Sequence, residues 1–108
     1  MKLLLAVVQD NDVNILMEDL IENGFSVTKL SSTGGFLRSG NTTIFMGVDD
    51  DKMDECFKII ERNCKKRTAT TAIVNPNMQG AMFQTFPVEI TVGGATVFVI
   101  NVEQFLKL

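Results

Sequence analysis

Residues 2–21, KLLLAVVQDNDVNILMEDLI, decide the fold that the sequence predicts. Residues 3–8 form a nearly continuous aliphatic run, which is typical of a central strand covered on both faces or paired on both edges. Asp10, Asn11 and Asp12 then supply an N-cap. Apolar residues follow with the spacing of one helix face, at Val13, Leu16, Met17, Leu20 and Ile21. The stretch therefore predicts a β-strand that leads directly into an amphipathic helix.

Strand and helix patterns alternate again after this unit. Gly24 is the expected left-handed residue that closes the first helix, and a second strand runs from Phe25 to about Thr33. A third strand, residues 42–48, leads to three consecutive aspartates, which are a strong signal for a helix start. The second helix has apolar residues at helical spacing and ends in three cations: Met53, Cys56, Phe57, Ile60 and Cys64, then Lys65, Lys66 and Arg67.

The last third of the chain predicts a long loop and a hairpin. Residues 68–87 show no clear periodicity and exceed the usual loop length, although 70–74 could be a strand. Residues 88–92 and 95–100 flank Gly93-Gly94 and predict a C-terminal hairpin with a two-residue turn. The order β-α-β-β-α-loop-β-β indicates a single α+β domain over residues 1–108. It is a ferredoxin-like sandwich with a split β-α-β core, two helices on one face of an antiparallel sheet and the added hairpin.

Composition excludes several classes of function. The chain has no His, Tyr or Trp, so His-based triads and His metal sites are absent. A net charge of −3 argues against binding of long nucleic acid through its phosphates. No apolar run approaches the roughly 18 residues that a membrane span needs. We therefore expect no nucleic-acid partner and no membrane insertion.

The cysteines and aspartates of the second helix predict structure more than chemistry. Cys56 and Cys64 lie about 12 Å apart along the helix axis, too far for a disulfide, and their position on the apolar face predicts buried, inert thiols. Reduced thiols favour a cytoplasmic location. Asp49, Asp50, Asp51 and Asp54 could chelate a hard cation, but consecutive aspartates at a helix start more often cap it.

Residues 33–43, TGGFLRSGNTT, hold the strongest candidate for a ligand site. Glycines let the backbone approach an anion, Arg38 adds a positive charge, Phe36 offers a flat wall, and Asn41 can bind the edge of a base. These are the parts that a phosphorylated base needs. A plain Gly-rich hairpin loop is the alternative, since the spacing is neither a Walker sequence nor a dinucleotide fingerprint.

Two stretches of the chain are specific in sequence, TGGFLR at 33–38 and PVEITVGGATVFV at 87–99, and three shorter ones accompany them, VQD at 8–10, TKL at 28–30 and GNTT at 40–43. Together they resemble the PII-like cyclic di-AMP receptors of Gram-positive bacteria. The resemblance runs from the first strand to the last and is interrupted only in the long loop. It implies a homotrimer of ferredoxin-like subunits that has no catalytic activity and needs no cofactor besides its ligand.

The resemblance also implies where cyclic di-AMP binds. Three sites would lie between neighbouring subunits, beside a short Gly-rich loop at 34–40 and a long loop at 68–87. Because we expect both loops to be mobile when the site is empty, we predict that the ligand orders them and changes the surface shown to a downstream protein. Gly35, Phe36, Leu37 and Arg38 would line the bases and phosphates. Thr28, Asn41 and the Gly47 backbone would hold one adenine, and Phe98 or Val99 and the C-terminal tail would complete the cleft.

Two positions depart from the pattern of this family. Ser26 stands where relatives often have an Arg, which could weaken binding tenfold or more. Lys107 stands where a Gln commonly contacts the ligand, and it can recover part of the loss by facing a phosphate. These departures bear on affinity and on ligand preference.

Three other functions are open. The first is a PII-like regulator that prefers another adenylate such as ATP. The second is a trimer of the cation-tolerance type that binds divalent metal ions through residues 49–51 or the thiols. The third is a small phosphatase, which we rank lowest because the Gly-rich loop contains neither a base nor a nucleophile. We expect a protein that is not an enzyme.

Overall fold

The computed structural model describes residues 1–30, 40–74 and 85–108, and only the backbone of 71–74 and 85–88. Two helices and six strands follow one another along these residues, with a 3-10 turn at Asp50–Lys52 before the second helix. In chain order they are β1 (Lys2–Gln9), α1 (Asp10–Glu22), β2 (Thr28–Leu30), β3 (Asn41–Val48), α2 (Met53–Cys64), β4 (Arg67–Val74), β5 (Thr85–Val92) and β6 (Ala95–Asn101). The predicted α+β ferredoxin-like architecture is confirmed.

The main sheet has the strand order β2-β3-β1-β6, and all its pairings are antiparallel. β1 occupies the interior of this sheet, as its aliphatic run predicts. Alternate β1 residues Leu4, Ala6 and Val8 are buried under the helices together with Ile44 and other apolar side chains. The core is completed by Val13, Leu16, Leu20, Phe25, Met46, Val48, Cys56, Ile59, Ile60 and Cys64.

The end of α1 follows the prediction. Gly24 has a φ of 88°, its N–H bonds to the Ile21 carbonyl, and the Phe25 N–H bonds to the Leu20 carbonyl. These two backbone hydrogen bonds form a Schellman motif, in which the residue with left-handed backbone geometry is usually glycine. Phe25 and Leu20 are both buried, so the motif also turns the chain back toward the core.

The start of α1 differs from the prediction. Gln9, not an aspartate, occupies the N-cap position, and no side chain caps the helix there. Asp10 and Asp12 lie in the first helical turn and bind elsewhere, Asp10 to the Thr42 hydroxyl and Asp12 to Arg67. The predicted N-cap is wrong because the helix already begins at Asp10. Side chains of other elements then bind the carboxylates of Asp10 and Asp12.

The predicted apolar face of α2 is also wrong at one residue. Phe57 is 39% exposed, whereas Ile59 is buried. Phe57 faces a groove of about 360 Å³ beside β6, which it lines with Ile60, Gly94 and Val97 among others. Since β6 is the edge of the sheet, no further strand of the described residues reaches Phe57.

The predicted C-terminal hairpin does not form. β5 pairs with β4, from Arg67 opposite Val92 to Val74 opposite Thr85, and β6 pairs with β1. The predicted long loop at 68–87 is therefore strand over 68–74 and 85–87, which confirms the strand suggested at 70–74; residues 75–84 lie outside the described ones. Pairing of β6 with β1 is favoured over a hairpin with β5 because this register packs Val97 against the core.

A polar cluster joins the two helices on the surface. Asp19 accepts bonds from Arg62 Nε and Nη2 at 2.7 and 2.6 Å and from Asn63 at 2.7 Å. The Arg62 bonds, followed by the bond from Asn63, lower the pKa of Asp19 from 3.8 to about 2. The folded state therefore binds this proton less readily than the unfolded chain does.

Asp19→Asn should reduce the acid sensitivity of folding. With the carboxyl pKa depressed in the folded state, its contribution to stability is complete above pH 3.8 and is lost as the pH falls toward about 2. The deficit of the variant relative to wild type should shrink over this window in urea unfolding. Glu18→Gln, an exposed change on the same helix, is the control, and its deficit should not vary in parallel. A constant Asp19→Asn deficit would contradict the linkage.

Candidate functional site

A polar cleft of about 280 Å³ lies at one end of the main sheet. Eight residues line it: Val7, Gln9, Asn41, Lys66, Gly93, Gly94, Ala95 and Thr96. They come from the end of β1, the start of β3, the segment after α2 and the connection between β5 and β6. This connection consists of Gly93 and Gly94 and is called the glycine joint or the β5–β6 joint below. Gly40 directly precedes Asn41, and its carbonyl accepts the Asp10 N–H at 2.9 Å.

Strand register places two amides side by side in this cleft. Gln9 is the last residue of β1 and pairs with Asn41, the first of β3. Paired residues share a face of the sheet, so both side chains lie on the face opposite the helices. Gln9 Oε1 accepts the Gly93 N–H at 2.8 Å, which ties the sheet to the β5–β6 joint. The two amides can bind the donor and acceptor edge of a base.

The glycine joint behind the cleft is tightly packed. Gly93 and Gly94 have φ values of 86° and 96°, and the Gly94 N–H donates to the Cys64 carbonyl. A Cβ on Gly93 would lie 2.5 Å from the Lys65 carbonyl oxygen. This wall of the cleft is thus bare backbone held against the end of α2, which permits close approach by a ligand.

Arg67 fixes the base of the β4–β5 ribbon. Its Nη2 lies 2.7 Å from Asp12 Oδ1, and its Nη1 donates to the Lys65 carbonyl at 3.1 Å. Asp12 is only 4% exposed, and its Oδ2 has no hydrogen-bond partner within the described part of the chain. The guanidinium is therefore committed to holding β4 against α1.

The structure brings only some of the predicted site residues together. Thr28, Asn41 and Gly47 share the open face, meaning the sheet face opposite the helices, because Thr28 pairs with Phe45. Asn41 and Gly47, however, are six strand positions apart, about 20 Å. A single adenine cannot reach both within one chain. Phe98 lies in the same row across the sheet as Thr28, through Leu5 and Phe45, and is 49% exposed.

The remaining predicted residues lie elsewhere. Lys107 is exposed in the tail that leaves β6 at Asn101, the end of the strand away from the cleft. Ser26 is exposed just before β2. Gly35, Phe36, Leu37 and Arg38 lie outside the described residues, as does most of the Gly-rich loop.

Sequence reasoning missed Gln9, Lys66 and the glycine pair as parts of a cleft. The sequence pattern indicated only that Gln9 follows a strand and that Gly93-Gly94 forms a hairpin turn. The signal for Gln9 is its pairing with Asn41, which the β1–β3 register supplies and the local sequence pattern does not. Lys66 gave no such signal, because cations at a helix C-terminus are common.

The two thiols are structural, as predicted. Cys56 and Cys64 are buried and unbridged, and burial raises the pKa of each to about 11. Across residues 1–30, 40–74 and 85–108, no three Cys, Asp or Glu side chains converge as metal ligands. Asp49 caps nothing with its side chain, and Asp50 and Asp51 are exposed in the turn before α2. Neither described helix is long and apolar enough to cross a membrane.

The described residues thus form a split β-α-β sandwich with a polar cleft at one end of its open sheet face. The family model of the cyclic-di-AMP receptors matches residues 1–108, the whole chain, and the chain belongs to that family. A functionally unknown protein from Pediococcus pentosaceus ATCC 25745, known from its crystal structure, is similar. It is 38% identical with a TM-score of 0.77, and the match covers 99% of this chain and 96% of that one.

Proposed function

We propose that this protein is a homotrimeric receptor that binds cyclic di-AMP between neighbouring copies and signals by ordering of its loops. Membership of the cyclic-di-AMP receptor family supports the receptor role, since that family signals by binding. The described residues add support of three kinds: an uncovered apolar sheet face, site residues too far apart for one chain, and a ribbon without a third strand.

The open face of the main sheet is the observation that carries the proposal. Leu3, Leu5 and Val7 of β1 lie on this face between β3 and β6. Phe98 and Ile100 of β6 continue it and are 49% and 47% exposed. No described helix packs on this side. An apolar surface of this extent favours association, and closed rotational symmetry would bury the same face of every copy.

The separation of Asn41 and Gly47 supports a site shared between copies. Both lie on the open face, but about 20 Å of strand lies between them. A ligand that contacts both therefore needs Asn41 from one copy and Gly47 from the next. Cyclic di-AMP has two adenines and two phosphates, and a site between subunits can hold each half with a different chain.

The β4–β5 ribbon points to the same assembly. Its two strands pair only with each other among the described strands. An isolated two-stranded ribbon is marginally stable in water. Ile90 on β5 is 41% exposed, which leaves an apolar side chain for a neighbour to cover. We expect the ribbon to pack against an adjacent copy.

Titration calorimetry together with light scattering tests the proposal. The purified protein should scatter as three times its 11.9 kDa mass and bind one cyclic di-AMP per chain. ATP should not displace cyclic di-AMP at equal concentration, and cyclic di-GMP should bind more weakly. A monomer, or a trimer that gives no heat with cyclic di-AMP, would overturn the proposal. Displacement by ATP would favour the adenylate regulator instead.

Asn41→Ala should weaken cyclic di-AMP about tenfold or more. An Asn amide that binds an adenine edge through two hydrogen bonds contributes about 1–3 kcal/mol. The loss should be smaller for cyclic di-GMP, because the missing contact is specific for adenine. Asn14→Ala, at an exposed position on α1, is the matched control and should bind like wild type. Equal losses for both ligands would show that Asn41 does not contact the base.

A further inference from the structure

Three consecutive cations follow α2, and they face different surroundings. Arg67 is bound to Asp12 and to the Lys65 carbonyl. Lys65 lines the groove beside Phe57 on the helix side of β6. Lys66 lines that groove too, but it alone of the three also lines the cleft with Asn41. Of these three cations, only Lys66 thus brings positive charge to the cleft.

The stem of Lys66 packs along the backbone of Gly94. A Cβ on Gly94 would lie 3.2, 3.3 and 3.9 Å from the Cγ, Cε and Cδ atoms of Lys66. The aliphatic chain therefore lies along the Gly94 backbone, and Lys66 lines the cleft. Within the described residues Lys66 forms no ion pair, whereas Arg67 and Arg62 each hold an aspartate.

We propose that Lys66 holds a phosphate of the ligand in this cleft. The inference rests on the proposed receptor function and names a residue that the resemblance did not assign. The cleft then combines an ammonium group for a phosphodiester with the Asn41 and Gln9 amides for a base. This combination fits a nucleotide phosphodiester better than a nucleoside. It also explains how a chain of net charge −3 attracts an anion, because the positive charge is local.

Lys66→Gln and Lys65→Gln form a matched pair for the test. Both remove one charge from adjacent exposed positions, but only Lys66 lines the cleft. Lys66→Gln should weaken cyclic di-AMP about tenfold, as expected when a charged hydrogen bond is lost, while Lys65→Gln should bind like wild type. Lys66→Arg should recover most of the affinity. Light scattering and thermal unfolding should show that all three variants remain assembled and folded.

The salt dependence of binding provides a second measurement. A lysine that pairs with a phosphate makes binding weaker as salt rises, so Lys66→Gln should flatten this dependence relative to Lys65→Gln. If wild type binds cyclic di-AMP and the two glutamine variants behave alike, the role of Lys66 is overturned and the receptor function stands. If wild type does not bind, the receptor function fails first and the role of Lys66 fails with it.

Discussion

Ile100→Asp is expected to turn the proposed trimer into a monomer that no longer binds cyclic di-AMP. Ile100 lies on the open face opposite Leu3 and is 47% exposed in the single chain, so the change should leave the fold intact. In the assembly the substituted side chains would become buried, which places three carboxylates in the interface, one from each copy. Burying an unpaired charge costs several kcal/mol, and here the cost is repeated by symmetry. Light scattering measures the mass, and calorimetry measures the loss of binding.

Val99→Asp is the control for this change. Val99 is the neighbouring residue on β6 and is 46% exposed, but it pairs with buried Leu4 and therefore lies on the helix side of the sheet. The trimer should survive this substitution. If Val99→Asp dissociates the trimer and Ile100→Asp does not, copies associate through the groove between Phe57 and β6 rather than through the open face. If neither variant dissociates, the open face is not the interface.

The local elements were predictable because the residues that form them are close in sequence. The aliphatic run of β1 and the helical spacing of α1 determine their own structure, and the φ of 88° at Gly24 follows from what can end a helix there. The exposed Phe57 on α2 was not predictable in this way. Its burial depends on how far the sheet extends, which periodicity does not report.

Strand pairing was the part that the pattern left undetermined. Alternation identified β5 and β6 as strands, and the glycines between them favoured a hairpin. Which strands pair depends on competition among all strand edges that are available. Here β5 pairs with β4, and β6 pairs with β1. A segment that reads as a long loop can conceal one of those competitors, as 68–74 did.

The candidate site was predictable only in part for the same reason. Asn41 was found from its residue type and its place beside a Gly-rich loop. Gln9 and Lys66 belong to the cleft because of the β1–β3 register and the path of the chain after α2. Both depend on tertiary structure, and neither residue has a distinctive local motif.

Gly93→Ala is expected to be severely destabilising. The φ of 86° is unfavourable for an L-residue by about 1–2 kcal/mol. The new Cβ would also lie 2.5 Å from the Lys65 carbonyl oxygen, 2.7 Å from Arg67 Nη1 and 3.1 Å from the Cys64 carbonyl oxygen. Two of these atoms are backbone at the end of α2 and cannot move without disturbing the helix. The total loss should be about 4 kcal/mol or more in urea unfolding, among the largest that single substitutions give.

Gly94→Ala separates backbone strain from the steric clash. Its φ of 96° carries a similar strain, but its Cβ would meet only the Lys66 side chain, at 3.2 Å or more, and a flexible side chain can shift. We expect a loss of about 1–2 kcal/mol from strain alone. Similar losses for the two variants would mean that the β5–β6 joint is not held against α2. The Gly93 variant should also lose the cleft, because the Gly93 N–H bond to Gln9 and the start of β4 depend on the same joint.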